Sequence, residues 1–135
     1  MTRSIVEQAH DMYDAVPYEV PVPDESLYAL LDDAACLYPD RIALDYFGAT
    51  TTYAQVRDQV QRAARVLHEV GVGPGDTVAI ALPNCPQAFV AFYACMRIGA
   101  IAAQHNPLAP ASEIAGQLGR HGGKVAIVWE KCVDA

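Results

Sequence analysis

The sequence predicts an α/β fold: a partial parallel sheet built from βαβ units with flanking helices, preceded by a β-hairpin. Three observations carry this expectation. Thr77–Leu82, Ala100–Gln104 and Lys124–Trp129 are short apolar runs without strict alternation, the pattern of parallel strands covered on both faces. Helical periods over Pro86–Ile98 and Ala111–Arg120 separate those runs. The links between them are short, which calls for right-handed crossovers and parallel pairing.

Each element has its own signals. Residues 1–25 show weak periodicity and carry Pro17, Pro21 and Pro23, so they read as an extended lead-in. Residues 26–135 then form one incomplete α/β domain. Ser26–Tyr38 reads as a helix, with Leu27, Leu30, Leu31, Ala34, Ala35 and Tyr38 at three- and four-residue steps. Asp24 or Ser26 can cap it and Pro39 stops it. Ile42–Tyr46 alternates, Phe47-Gly48-Ala49 turns, and the chain returns through Thr50-Thr51 as a hairpin. Thr52-Tyr53-Ala54-Gln55 has the form of a capping box. The helix it opens presents Val56, Val60, Ala63, Ala64, Leu67 and Val70 on one stripe, and Gly71 ends it. Pro86–Ile98 starts with Pro, ends at Gly99 and is apolar nearly all round, so it predicts a buried helix.

Composition sets limits on function. Of 135 residues, 53% are hydrophobic and 19% charged, which describes a globular chain with more apolar surface than it can bury alone. That surface predicts a partner, and self-association when none is present. The net charge is −7, without a Lys/Arg cluster, which disfavours nucleic acid and anionic lipid as partners. Arg57, Arg62 and Arg65 fall among acidic residues, as on a solvated helix face. The N-terminus lacks a signal-peptide core, and the apolar run Ala88–Cys95 is too short to span a bilayer. Cys36, Cys85, Cys95 and Cys132 have neither metal-ligand nor CxxC spacing. Cys36 and Cys95 sit on helix faces that read as core, so reduced thiols in a cytoplasmic protein are expected.

The glycines of Gly71-Val72-Gly73-Pro74-Gly75-Asp76 invite a phosphate-binding reading. The element order opposes it, because they follow a helix and open a strand, whereas a nucleotide loop follows a strand and opens a helix. The loops Pro83–Pro86 and His105–Leu108 matter for a geometric reason: in open parallel sheets, ligands bind beyond the carboxyl ends of the strands. Asn84 is read as a helix cap or a contact, Asn106-Pro107 as a rigid turn or a contact, and His105 as a satisfied histidine or a ligand contact. His68 faces outward. No serine sits on a sharp turn with a base, and no histidines have metal spacing, so neither a catalytic residue nor a metal ligand is assigned.

Read in order, Pro39-Asp40, Ala43-Leu44, Thr52-Tyr53, Leu67, Gly71, Pro74-Gly75-Asp76, Val78-Ala79-Ile80, Leu82-Pro83-Asn84, Pro86, Gly99-Ala100, Asn106-Pro107, Glu113 and Leu118 resemble the N-terminal part of adenylate-forming acyl-CoA synthetases, the AMP-binding superfamily. The phrase KVAIVWEK after His121-Gly122-Gly123 tilts the resemblance toward the long-chain fatty-acid–CoA ligases. The resemblance implies a two-step reaction in the parent enzyme: a fatty acid and ATP give acyl-adenylate and pyrophosphate, and the CoA thiol then attacks the acyl carbon. ATP, Mg²⁺ and CoA are implied for that parent. The family's phosphate loop, Thr-Glu pair, ribose-binding Asp and catalytic lysine come later than any residue of this sequence. The chain is therefore expected to be a scaffold segment, inactive by itself, with the remainder of the enzyme as its partner. In the acetyl-CoA branch the loop corresponding to His105–Pro107 borders the CoA nucleotide, so His105, Asn106 and Pro107 are the candidate CoA-side residues. That branch has glycines where this chain has His-Asn-Pro. The rival reading is a free-standing small α/β binding or regulatory module without catalysis.

Overall fold

A computed structural model describes residues 4–5 and 21–132. Helix α1 (Tyr28–Leu37) is followed by the hairpin β1 (Ile42–Tyr46) and β2 (Ala49–Thr52), then by α2 (Tyr53–Glu69). Next come β3 (Thr77–Ala81), α3 (Pro86–Ile98), β4 (Ile101–Gln104), α4 (Ala111–His121), β5 (Val125–Val128) and a 3₁₀ turn at Glu130–Cys132. Most of the predicted lead-in lies outside the described residues.

The hairpin closes with two left-handed residues, Phe47 (φ 51°) and Gly48 (φ 84°). With Tyr46 opposite Ala49, this is the two-residue turn whose twist suits a hairpin. The capping box forms as its sequence dictates: Thr52 Oγ1 accepts from Gln55 N–H at 3.3 Å, and Gln55 Oε1 accepts from Thr52 N–H at 2.9 Å.

The main sheet has the order β4-β3-β5, all parallel. The crossover from β3 to β4 and the one from β4 past β3 to β5 run in opposite directions, so right-handedness puts α3 and α4 on opposite faces. One face presents Val78, Ile80, Ala102, Val125 and Ile127 to Ala91, Ala94 and Cys95 of α3 and to Ala64 and Leu67 of α2. The other face carries Ala79, Ala81 and Ala103 with Ile101 and Val128, and it is only partly covered: Ile101 is 55% exposed and Val128 37%. Both faces are apolar in sequence, but α4 is the one helix the topology puts on the second face. A smaller core joins Tyr28 and Leu31 of α1 to Val56 and Val60 of α2.

Three expectations are corrected. The apolar stripe of α1 is wider than its buried face: Tyr28, Leu31 and Ala35 are buried, whereas Leu27, Leu30 and Leu37 are exposed. Cys36 lies one position beyond that stripe and is exposed, with its sulfur 3.2 Å from the Arg57 guanidinium, so only Cys95 of the two is core. Helix α3 is not buried on every side. Ala91, Ala94 and Cys95 are buried, but Phe89, Phe92 and Tyr93 are half-buried because one flank of the helix borders an open cleft.

Candidate ligand cleft at the carboxyl ends of the strands

A cleft of about 1030 Å³ opens at the carboxyl ends of the parallel strands. Its walls come from Leu82–Pro86 after β3, Gln104 at the end of β4 with His105–Leu108 after it, Trp129 after β5, and Phe89, Phe92 and Tyr93 of α3. Leu44, Asp45 and Tyr46 of β1 close one side. The hairpin thus serves the site as well as the fold. The lining is mostly aromatic and apolar, and it contains neither lysine nor arginine. Such a wall suits an uncharged organic group better than a polyphosphate, which calls for cations or aimed backbone N–H groups. Among the described residues no cluster of three or more His, Cys, Asp or Glu side chains is placed to hold a metal ion.

His105, Asn106 and Pro107 lie together on the rim. His105 extends β4 by one bond, its N–H donating to the Ile80 carbonyl at 2.9 Å. Its ring is held on both sides: Nδ1 meets Gln117 Oε1, and Nε2 lies 2.9 Å from His121 Nε2. Asn106 Oδ1 accepts from Leu108 N–H at 3.0 Å, the bond of an Asx turn. Asn84 lines the cleft but does not cap α3. Cys85 occupies the N-cap with no side-chain capping bond, because Pro86 at the first helical position already presets the backbone. Cys85 is half-buried in the same wall, inside the loop after β3 that the sequence marks as ligand-side. Trp129 and the Phe89, Phe92 and Tyr93 flank of α3 are lining residues that sequence reasoning missed.

The glycine turn lies at the opposite end of the sheet, where β3 begins. Asp76 Oδ2 accepts from Gly73 N–H at 2.8 Å and from Lys124 Nζ at 3.0 Å. The loop therefore closes on its own carboxylate and does not cradle a phosphate. The Gly73 bond, then Lys124, hold the Asp76 carboxyl below the usual range. At Gly99, which ends α3 with φ 71°, an added Cβ would come 3.4 Å from Pro74, so helix end and turn are packed together. Burial pushes the Cys95 thiol up to about 11. It lies on the buried face of α3, and its environment is that of an inert structural cysteine.

Residues 31–135 match the family of AMP-binding enzymes. The chain belongs to that family. Long-chain-fatty-acid–CoA ligase of Bacillus subtilis is 35% identical over 103 residues, 76% of this chain and 18% of that protein. 4-Coumarate–CoA ligase 2 of Oryza sativa is 38% identical over 106 residues, 78% of this chain and 18% of that protein. An acetyl-coenzyme A synthetase of Streptomyces avermitilis is 47% identical, but over 66 residues, 45% of this chain and 10% of that protein. Among solved structures, the inhibitor-bound N-terminal domain of FACL13 from Mycobacterium tuberculosis superposes with a TM-score of 0.75 at 29% identity, over 82% of this chain and 29% of that one. The N-terminal subdomain of NpsA from Klebsiella oxytoca gives 0.72 at 28%, over 77% of this chain and 27% of that one. The chain spans about a fifth of the length of these curated AMP-binding relatives, 18% in the first two. Its fold is that of the N-terminal part of adenylate-forming enzymes.

Proposed function

We propose that this chain is the N-terminal scaffold segment of an ATP-dependent fatty-acid–CoA ligase, in which His105, Asn106 and Pro107 flank the CoA side of the active cleft. One observation carries the reading. The segment matches AMP-binding enzymes from residue 31 onward, and its open cleft lies at the carboxyl ends of the parallel strands, where ligands of open α/β sheets bind. The match to the Bacillus ligase covers 76% of the chain and that to the Oryza coumarate ligase 78%, against 45% for the Streptomyces acetyl-CoA synthetase, so reach favours a larger acid over acetate without separating fatty from aromatic acids.

The residues present divide the labour. ATP and Mg²⁺ find no fit here, since the cleft lining has no Lys or Arg and the described residues offer no metal cluster. Those groups belong to the remainder of the enzyme, which supplies the adenylation chemistry. What this segment fits is an uncharged stretch of ligand. The aromatic flank of α3 excludes water along it. Pro107 and the Asx turn at Asn106 fix the rim, so binding meets a preformed loop. The Glu113–Gln117–His105 hydrogen bonds orient the imidazole but leave it no free nitrogen, which argues against a proton-transfer role. The same reading places the protein in the cytoplasm, where exposed thiols such as Cys36 stay reduced.

Two half-reactions test this in the enzyme that carries the segment. Asn106→Ala is expected to weaken CoA binding by about 0.5–1.5 kcal/mol, one hydrogen bond. ATP–pyrophosphate exchange should change little. Equal loss in both half-reactions, or none in either, overturns the CoA-side assignment. Palmitate compared with acetate and 4-coumarate as the acid decides the acyl class. Pyrophosphate release by the pure 135-residue chain would overturn the scaffold reading and favour a self-sufficient module.

A further inference from the structure

We infer that His105 and His121 form a pH-gated latch that ties α4 to the rim of the cleft, closed by one shared proton and opened by a second. The argument starts at Glu113, whose carboxylate only accepts hydrogen bonds. Gln117 therefore turns its NH₂ toward it, at 3.1 Å, and its carbonyl oxygen toward His105 Nδ1. That oxygen also only accepts, so His105 carries its proton on Nδ1. Neutral His105 then offers a bare Nε2, and the 2.9 Å contact is made by an Nε2–H of His121. The ring geometry agrees. The centroids are 5.0 Å apart and the planes 27° from parallel, which with the Nε2 atoms in contact places the rings end-on and near coplanar, not face to face. The remaining nitrogen, His121 Nδ1, is buried and has no hydrogen-bond partner. Gly123 makes room for it: a Cβ there would come 2.9 Å from His121 Cε1 and 3.2 Å from Nδ1.

One added proton keeps the Nε2–Nε2 bond but puts an N–H on the buried, partnerless His121 Nδ1 in either form. With His121 protonated, Nε2–H still donates to His105. With His105 protonated, its Nε2–H donates to His121, whose proton moves to Nδ1. Two added protons leave an N–H on both facing Nε2 atoms, and at 2.9 Å those cannot coexist. The neighbouring charges do not supply the switch. Glu113 and Arg120 lie on α4, Asp45 of β1 lines the same cleft, and Lys124 beside β5 is tied to Asp76. Imidazoles are the side chains that ordinarily gain a proton in mildly acidic solution, and a contacting pair takes up its two protons in separate steps. Losing the link matters because α4 buries little else: Ile114 is its buried apolar side chain among the described ones. Freed, α4 would give up its tie to the His105 ring, while β4 pairing and the Asx turn still hold the rim's backbone.

Imidazole ¹⁵N NMR and amide hydrogen exchange on the 135-residue chain test the latch. At about pH 8, His105 should report as the Nδ1–H tautomer and His121 as the Nε2–H tautomer. Between about pH 8 and about pH 5, protection of α4 amides relative to α2 amides should fall about tenfold. His121→Phe should show the low protection at both pH values. Mixed tautomers at pH 8, an α4-to-α2 ratio that does not move, or a His121→Phe chain that keeps the same pH dependence would each overturn the proposal. If His121→Phe unfolds α4, the tautomers and the protection ratio of the unsubstituted chain decide it.

Discussion

At the scale of single residues, side-chain chemistry decides roles that spacing leaves open. Asp76 is the clearest case: the carboxylate in the glycine turn makes the bonds a phosphate would have made. Its lowered pKa is also a statement about stability. The unfolded chain ionises Asp76 in the usual carboxylate range, near 3.8, and the folded chain ionises it lower. The charged form therefore stabilises the fold above that value, and the contribution is lost as pH falls through the folded pKa. Asp76→Asn is expected to lower the melting temperature at neutral pH, with the gap to the unsubstituted chain closing from about pH 5 to about pH 3. Because the carboxylate is only half-buried, salt should narrow the gap as well. Thermal melts across that range check the prediction, and a gap that widens in acid defeats it. Some residue roles were not legible in the sequence. His105 and His121 are 16 positions apart, and nothing in their spacing announces that their nitrogens meet. Asn84 has the chemistry of a cap, but Pro86 moved the helix start one residue past it.

At the scale of elements, local signals were strong wherever backbone satisfaction dictated them. The capping box at Thr52, the left-handed stop at Gly71 and the Pro86–Gly99 limits of α3 all read directly from sequence. The reason is that an orphan N–H or a positive φ restricts residue type within a few positions. Thr52→Ala should cost about 0.5–2 kcal/mol, because it removes a hydroxyl that satisfies an N-terminal donor of α2 and frees Gln55 from its reciprocal bond. Chemical denaturation should show a lower midpoint with an unchanged slope. Loss below about 0.3 kcal/mol would mean that water caps the helix as well as threonine does. Burial was less legible than helicity. A hydrophobic stripe shows which side of α1 is apolar, but not how much of it the chain itself covers, and Leu30 remains 64% exposed.

At the scale of the whole molecule, the cleft was legible as a place but not as a shape. Parallel order fixed that ligands belong at the carboxyl ends of β3 and β4. That β1 would supply Leu44, Asp45 and Tyr46 to the wall depends on long-range packing of the hairpin, which no local pattern encodes. The same scale governs solution behaviour. Among the described residues both outer strands, β4 and β5, are edges, and each leaves a row of backbone groups without a strand partner. On the less covered face Ile101 and Val128 are exposed, Leu108 is 78% exposed beside them in sequence, and Phe47 at the hairpin tip is 95% exposed. An edge strand with apolar residues on an open face is a template for another copy, so the 135-residue chain is expected to self-associate. Static light scattering over a concentration series should give an average mass that rises above that of one chain. Ile101→Lys places a charge on the open face of edge strand β4 without touching the buried Val78–Ile80–Cys95 core, so it should return the mass toward that of a monomer while far-UV circular dichroism stays the same. A constant monomeric mass for the unsubstituted chain would show that α4 and the loops protect the edges well enough. Association that survives Ile101→Lys would move the contact to the α1 and hairpin surface around Leu30, Leu37 and Phe47.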